Sequence, residues 1–207
     1  MVSQIALPLG IAPGSQPRRI VIGQANEAVI EAFDHADGWP FGTAILFGPP
    51  RSGKSLLARW FVDSGRGDAV DDADQAEETG LFHRWNRAQQ EGESLLLTAT
   101  SGGPGGWQIA LPDLASRLAA ALRLDIGAPD DAMMTELIAA HAEARGVAIG
   151  DAGARYLATR GERSHLAAER LVATVDRLSL ERKQAPGPAI WREALEELSG
   201  PSQPRLL

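Results

Sequence analysis

Two short runs of unbroken apolar residues stand out from longer amphipathic stretches. Gly42-Thr43-Ala44-Ile45-Leu46-Phe47 and Ser94-Leu95-Leu96-Leu97-Thr98 have the composition of strands covered on both faces. Asp68-Ala69-Val70-Asp71 is a third, shorter strand candidate, and Arg19-Ile20-Val21-Ile22-Gly23 reads as a strand or a turn. Helical periodicity fills the intervals: Val29, Ile30 and Phe33 after Asn26; Leu56, Leu57, Trp60 and Phe61 within Ser55 to Val62; then Glu77 to Gln90 and Asp113 to Leu122. Apolar strands alternating with helices predict a parallel α/β core. Beyond about residue 128 only helices are expected. Asp130 is the predicted cap of one carrying Met133, Met134, Leu137, Ile138 and His141 and ending near Gly146. Asp151 and Ser164 are the predicted caps of two more, and Ile190, Trp191, Leu195 and Leu198 line a last one after Pro186-Gly187-Pro188.

Three regions follow: an arm over 1–19, an α/β core over 20–127 and a helical domain over 128–207. The arm contains Pro8, Pro13 and Pro17 with Gly10 and Gly14 and is expected to be flexible or extended. Composition narrows the class without naming it. Of the 207 residues, 44% are hydrophobic and 23% charged, the balance of an ordinary soluble globular chain. A formal net charge of -7 argues against sequence-specific DNA binding by a basic face. Without cysteine, disulfides and thiolate metal sites are excluded. The opening residues lack the basic and long apolar segments of a signal peptide, and no run approaches the ~20 apolar residues of a membrane span. The expectation is a cytoplasmic protein with no membrane partner.

The chemistry is concentrated at Gly48-Pro49-Pro50-Arg51-Ser52-Gly53-Lys54-Ser55, which satisfies the Walker A pattern in full. Glycines let successive backbone N–H groups turn toward phosphate oxygens, and the helix that follows, from Ser55 and Leu56, adds its positive end. Lys54 is placed to reach the β- and γ-phosphates and Ser55 to ligate Mg²⁺. A chance glycine turn would not be flanked by a buried strand and a helix. Asp71 and Asp72, at the end of a second strand, are the natural carboxylates to hold Mg²⁺ opposite Ser55 and to polarise a water. The plainer reading of Asp68, Asp71, Asp72 and Asp74 is a solvated acidic turn. His83 and His141 sit in amphipathic helices, where packing or capping accounts for them. Trp107 is read first as a packing residue.

These residues resemble the DnaA family of AAA+ initiators, and most closely its short Hda branch, over nearly the whole chain. Val21-Ile22-Gly23-Gln24-Ala25-Asn26 is similar to the segment lying against adenine, which implicates Ile22, Gly23 and Asn26. Leu81-Phe82-His83-Arg84-Trp85-Asn86 resembles the helix after the Walker B strand. Leu111-Pro112-Asp113-Leu114-Ala115-Ser116-Arg117-Leu118 resembles the stretch with the arginine finger, here Arg117. Gln4-Ile5-Ala6-Leu7-Pro8-Leu9 is similar to a peptide that binds the DNA polymerase III sliding clamp (beta subunit), implicating Gln4, Leu7, Pro8 and Leu9. The helices from Asp130 onward look like the AAA+ lid.

The resemblance implies an AAA+ P-loop parallel core followed by a small all-helical lid, ADP or ATP with Mg²⁺ as ligands, and DnaA and the clamp as partners. The implied activity is promotion of hydrolysis of DnaA-bound ATP, with Arg117 supplied in trans; a homodimer is compatible with it. The resemblance does not extend to the initiators' DNA-binding helix-turn-helix domain, so an initiator's own role is not expected. The chain also departs from the family. Only Asp63 to Gly67 separates the P-loop helix from the strand at Asp68, where the family has a strand-helix unit ~two dozen residues longer. The sheet should therefore hold four strands, having lost its edge. Sensor 1 falls on Thr98 or Thr100. The lid position expected for sensor 2 falls on Glu169, leaving Arg163 or Arg170 as substitutes. These departures point to weak hydrolysis in cis. Two other readings stand beside the regulator: a stand-alone AAA+ ATPase, and an adaptor that keeps the fold without nucleotide.

Overall fold

The computed structural model describes residues 3–6, 19–100 and 106–200. Its strands in chain order are β1 (Ser3–Ala6), β2 (Arg19–Ile22), β3 (Thr43–Gly48), β4 (Asp68–Val70), β5 (Leu95–Thr100) and β6 (Leu122–Asp125). Its helices are α1 (Glu27–Asp34), α2 (Lys54–Asp63), α3 (Glu78–Glu91), α4 (Pro112–Leu118), α5 (Asp131–Arg145), α6 (Gly150–Ala158), α7 (His165–Arg182) and α8 (Pro188–Ser199). The chain divides into two compact units, Ala25–Gly127 and a second made of Met1–Gln24 with Ala128–Leu207.

In the first unit, β3 to β6 form one parallel sheet in the order β4-β5-β3-β6. The four strands match the loss expected from the short Asp63–Gly67 connection. The two unbroken apolar runs lie side by side at the centre, with Ile45 opposite Leu97 and Gly48 opposite Thr100. Alternation sends Ile45, Leu95, Leu97 and Ala99 to one face, against Leu81 and Ala88 of α3 and Leu114 and Leu118 of α4. α2 contacts β3, β4 and β5, and its Leu57 and Phe61 are completely buried. Phe61 stacks on Trp39 at 5.2 Å and meets Phe33 of α1 edge-on at 5.1 Å. Burying a side chain of this size contributes about 2–3 kcal/mol. That aromatic cluster fixes the helix that carries Lys54 at its first position.

One element differs from expectation. The helix predicted over Asp113–Leu122 stops at Leu118, and Leu122 opens strand β6. Ala120 and Ala121 turn the chain through tight hydrogen bonds to Arg117 and Leu118. β6 then pairs with β3, placing Leu124 opposite Leu46. Pairing with a central strand outweighs the helical propensity of the alanines.

The other edge is β4. It follows Gly67, whose φ of 155° and approach to Ser94 exclude a side chain: a Cβ there would fall 2.1 Å from the Ser94 carbonyl oxygen. The Asp68 N–H donates to Ser94, while its carboxylate accepts from Ala69 N–H at 2.8 Å and from Arg84 through two bonds of 2.6 Å.

The second unit is helical apart from a two-stranded antiparallel ribbon, β1 with β2, in which Gln4 lies opposite Val21. Residues 20–24 are expected from sequence in the α/β core; they belong instead with the helices. β2 lies against α5, and a Cβ on Gly23 would sit 3.1 Å from the Met133 side chain. The core is Met134, Ile138, Leu157, Leu171, Val175, Leu178 and Ile190 among others. Asp130 caps α5 by accepting from Met133 N–H at 2.7 Å, Gly146 ends it in the left-handed region, and Ser164 caps α7 by accepting from Ala167 N–H. Asp151 is not a cap: α6 begins at Gly150, and Asp151 lies in its first turn. No helix among the described residues is long and apolar enough to cross a membrane.

Candidate nucleotide site

The loop from Gly48 to Gly53 joins the end of a central strand to the start of α2. Gly53 stands at the N-cap of α2 in the left-handed region at φ 91°, where it has no side chain to form a capping hydrogen bond. The first N–H groups and the positive end of the dipole are thus left to a ligand. Arg51 also has positive φ, 66°, a conformation costing a non-glycine residue about 1–2 kcal/mol, so strain is concentrated in this loop. Gly48 is required by space: a Cβ would fall 2.6 Å from Ser52 Oγ.

Lys54 is 7% exposed, and its ammonium donates to the carbonyls of Gly48 at 3.0 Å and Pro49 at 3.2 Å. Burial lowers its pKa from the ordinary value, and Asp72, Asp71 and Asp74 pull in the opposite direction. The ammonium therefore feels the acidic turn that follows β4. Ser52 is buried, and its hydroxyl has no hydrogen-bond partner among the described residues. A buried unpartnered hydroxyl, an uncapped helix start and a buried ammonium in one loop suit a multiply charged oxyanion such as a nucleoside diphosphate. Pro49 and Leu56 are half-buried; Pro50 and Ser55 are exposed.

The acidic turn is held from β5. Thr98 is fully buried; its hydroxyl donates to Asp71 Oδ1 at 2.6 Å and accepts from Asp72 N–H at 2.9 Å. Asp72 itself has a left-handed φ of 47°. Thr100 N–H donates to Asp74 Oδ2 at 3.2 Å. Among the described residues no three His, Asp or Glu side chains converge as a self-sufficient metal cage. A cation here would lie between Ser55, Asp71 and phosphate oxygens, the usual habit of Mg²⁺.

Arg117 lies at the end of α4 and faces α3. Its guanidinium sits 4.5 Å from the ring centres of both Phe82 and Trp85 and donates to Asn86 Oδ1. At the other end of α4, the Glu78 carboxylate accepts from Ala110 N–H at 2.8 Å and Leu111 N–H at 2.6 Å. Residues 78, 82, 85 and 86 share one helical face, so a single stripe of α3 grips α4 at both ends. Glu78 was not singled out from sequence, and Asp74 was named only as part of an acidic turn. The spacing of 78, 82, 85 and 86 was there to be read, but only the fold supplies α4 as its partner.

The remaining expected site residues divide between the units. Asn26, 3% exposed, precedes α1 in the α/β unit without a side-chain capping bond, whereas Ile22 ends β2 and Gly23 follows it in the helical unit. Arg163 pairs with Asp131 at 2.8 Å, and Arg170 is exposed on α7. Gln4 lies in β1, and Leu7, Pro8 and Leu9 lie outside the described residues. His83 is exposed and His141 buried in its helix, and half-buried Trp107 packs against the sheet core.

No protein-family profile matches this chain, and no curated protein matches it. Solved structures do. Thermotoga maritima RuvB, a Holliday junction branch migration motor, is 21% identical with a TM-score of 0.60 over 86% of this chain and 70% of its own. Domain III of the Thermotoga maritima replication initiation protein DnaA is 14% identical with a TM-score of 0.67 over 88% of this chain and 95% of that one. Replication initiator DnaA bound to AMPPCP and single-stranded DNA is 14% identical with a TM-score of 0.58, covering 79% of this chain and 66% of the other. At these identities the likeness is one of fold, a parallel α/β sheet followed by a helical C-terminal region as in RuvB and DnaA domain III.

Proposed function

We propose that this chain is a nucleotide-binding regulator of the Hda type. It binds ADP or ATP with Mg²⁺ at the P-loop, docks on the sliding clamp through Gln4, Leu7, Pro8 and Leu9, and offers Arg117 to ATP held by DnaA. The observation that carries this reading is the pairing, within one unit, of a P-loop around Lys54 with an arginine fixed on a neighbouring helix pair. Phe82 and Trp85 lie against the guanidinium and Asn86 takes one N–H, so its other in-plane donors are those that a γ-phosphate would meet. Such a group neutralises charge developing on the transferred phosphoryl. Adenine contacts are assigned to Ile22, Gly23 and Asn26, and the lid cation to Arg163 or Arg170.

The test is hydrolysis of ATP by DnaA in the presence of clamp on DNA. Wild-type protein should stimulate it, Arg117→Ala should not, and Arg117→Lys should fall well short because lysine lacks the planar fork. Failure of the wild type to stimulate defeats the regulatory reading. Replacing Gln4, Leu7 and Leu9 by alanine should abolish clamp capture; binding that survives defeats the docking assignment.

Asp71, Asp72 and Asp74 around Lys54 favour a second reading, a stand-alone ATPase. Turnover without any partner that disappears in Lys54→Ala would establish it. Calorimetry detecting neither ADP nor ATP binding would instead favour a nucleotide-free adaptor.

A further inference from the structure

The residue that stands behind the acidic turn is Thr98. Its position on β5 is fixed by the sheet: β5 pairs with β3, whose last residue, Gly48, opens the P-loop, and with β4, whose continuation is the turn. One hydroxyl therefore ties the phosphate-binding strand to the carboxylates. A hydroxyl has a single proton to donate, and this one is donated to Asp71 Oδ1. Its lone pair accepts from the N–H of Asp72, which has a left-handed conformation. Thr98 is completely buried, so its hydroxyl is not presented to a ligand.

We propose that Thr98 is a positioning residue for the cation that accompanies the nucleotide: by holding one oxygen of Asp71, it aims the other at the space between Asp71 and Ser55. The inference rests on the nucleotide-binding reading above and differs from assigning Thr98 a direct contact with the γ-phosphate. An independent pointer to a ligand in this loop is Ser52, 5% exposed, whose hydroxyl has no partner among the described residues. Without the Thr98 hydroxyl, the Asp71 carboxylate rotates about its own side-chain bonds and the Asp72 N–H loses its acceptor, while Lys54 and the P-loop keep their contacts.

The experiment measures dissociation constants of ADP and of a non-hydrolysable ATP analogue, each with Mg²⁺ and with EDTA, for wild type, Thr98→Val and Thr98→Ser. Valine has nearly the shape of threonine and lacks its hydroxyl; serine keeps it. The wild type should bind both nucleotides more tightly with Mg²⁺. In Thr98→Val that enhancement should fall about tenfold for both nucleotides alike, the size expected for losing a hydrogen bond to a charged group, with EDTA values changed less than about twofold. Thr98→Ser should restore it. An undiminished enhancement in Thr98→Val, or a loss confined to the ATP analogue, overturns the proposal. Nucleotide binding by the wild type that is indifferent to Mg²⁺ overturns it and leaves the nucleotide reading intact; no nucleotide binding at all removes both. Should Thr98→Val fail to fold, Asp71→Asn decides, because it keeps an acceptor for Thr98 and removes the charge. Mg²⁺ enhancement that persists in that variant overturns the proposal.

Discussion

Replacing Glu78 by alanine isolates the grip of α3 on α4. The carboxylate accepts two backbone N–H groups, from exposed Ala110 at 2.8 Å and from part-buried Leu111 at 2.6 Å. A bond between a charged group and an exposed donor contributes about 0.5–1 kcal/mol after solvent screening, and one to a partly buried donor about 1.5–2 kcal/mol. Together they amount to about 2–3 kcal/mol, directed at the first turn of a helix of only seven residues. A global melting temperature would blur this, because the chain contains two units that need not unfold together. Native-state hydrogen exchange reads it locally. The amides of Leu111 and Ala115, the latter donating to Leu111 O at 2.9 Å, should lose protection by about 30- to 150-fold in Glu78→Ala. Glu78→Gln keeps one acceptor oxygen and should lose roughly half of that free energy. Protection unchanged within about threefold in Glu78→Ala would show that the two bonds do not hold α4. Under the proposed function the same variant should also weaken stimulation of DnaA, since Arg117 is carried on the helix that has been released.

Three further outcomes follow from the packing. Phe61→Ala should destabilise the α/β unit by about 3–5 kcal/mol in urea unfolding, since Phe61 is fully buried between Trp39 and Phe33; a loss under ~1 kcal/mol would refute that role. Gly67→Ala should cost about 2 kcal/mol or more, because a Cβ would meet the Ser94 carbonyl oxygen at 2.1 Å, and near-wild-type unfolding would contradict that geometry. Asp68 has its pKa lowered, chiefly by the hydrogen bonds from Arg84, so the stability this supplies is complete above the unfolded carboxylate value of about 3.9 and is lost as pH falls through the lower folded value. Arg84 is 43% exposed and solvent screens the pair, so Arg84→Met should cost only ~0.5–1 kcal/mol at pH 7. The difference should shrink as pH falls below the unfolded carboxylate value, and one that stayed constant through that descent would assign it to something other than the ion pair.

The fold was legible where one physical requirement dominated. Two apolar runs too short for helices had to be central strands, and the glycine-rich segment 48–53 had to be a tight turn between a strand and a helix. Asp130, Ser164 and Gly146 were readable as caps because each meets the hydrogen-bonding need of a helix end by itself. What escaped depended on partners far along the chain. β6 was hidden because Ala119-Ala120-Ala121 favours helix locally, and only β3 makes a strand of Leu122–Asp125. Residues 20–24 were misplaced because their neighbours are β1 and α5, at a distance in sequence. Thr98 was singled out as a polar residue at a strand end; that its hydroxyl faces Asp71 and Asp72 follows from sheet register, which no local pattern reveals.

The short connection after α2 leaves β4 as the outermost strand, where a missing neighbour would ordinarily invite a foreign one. Successive N–H groups on a strand point alternately to its two sides, so with Asp68 N–H directed at Ser94 the Ala69 N–H points outward. That donor is already taken by the Asp68 carboxylate, and Arg84 stands beside it. A strand approaching from solvent finds its one docking donor occupied and a charged pair in its path. At this border of the sheet, Asp68 and Arg84 stand where a covering strand would, and they disfavour the pairing of a second molecule along β4.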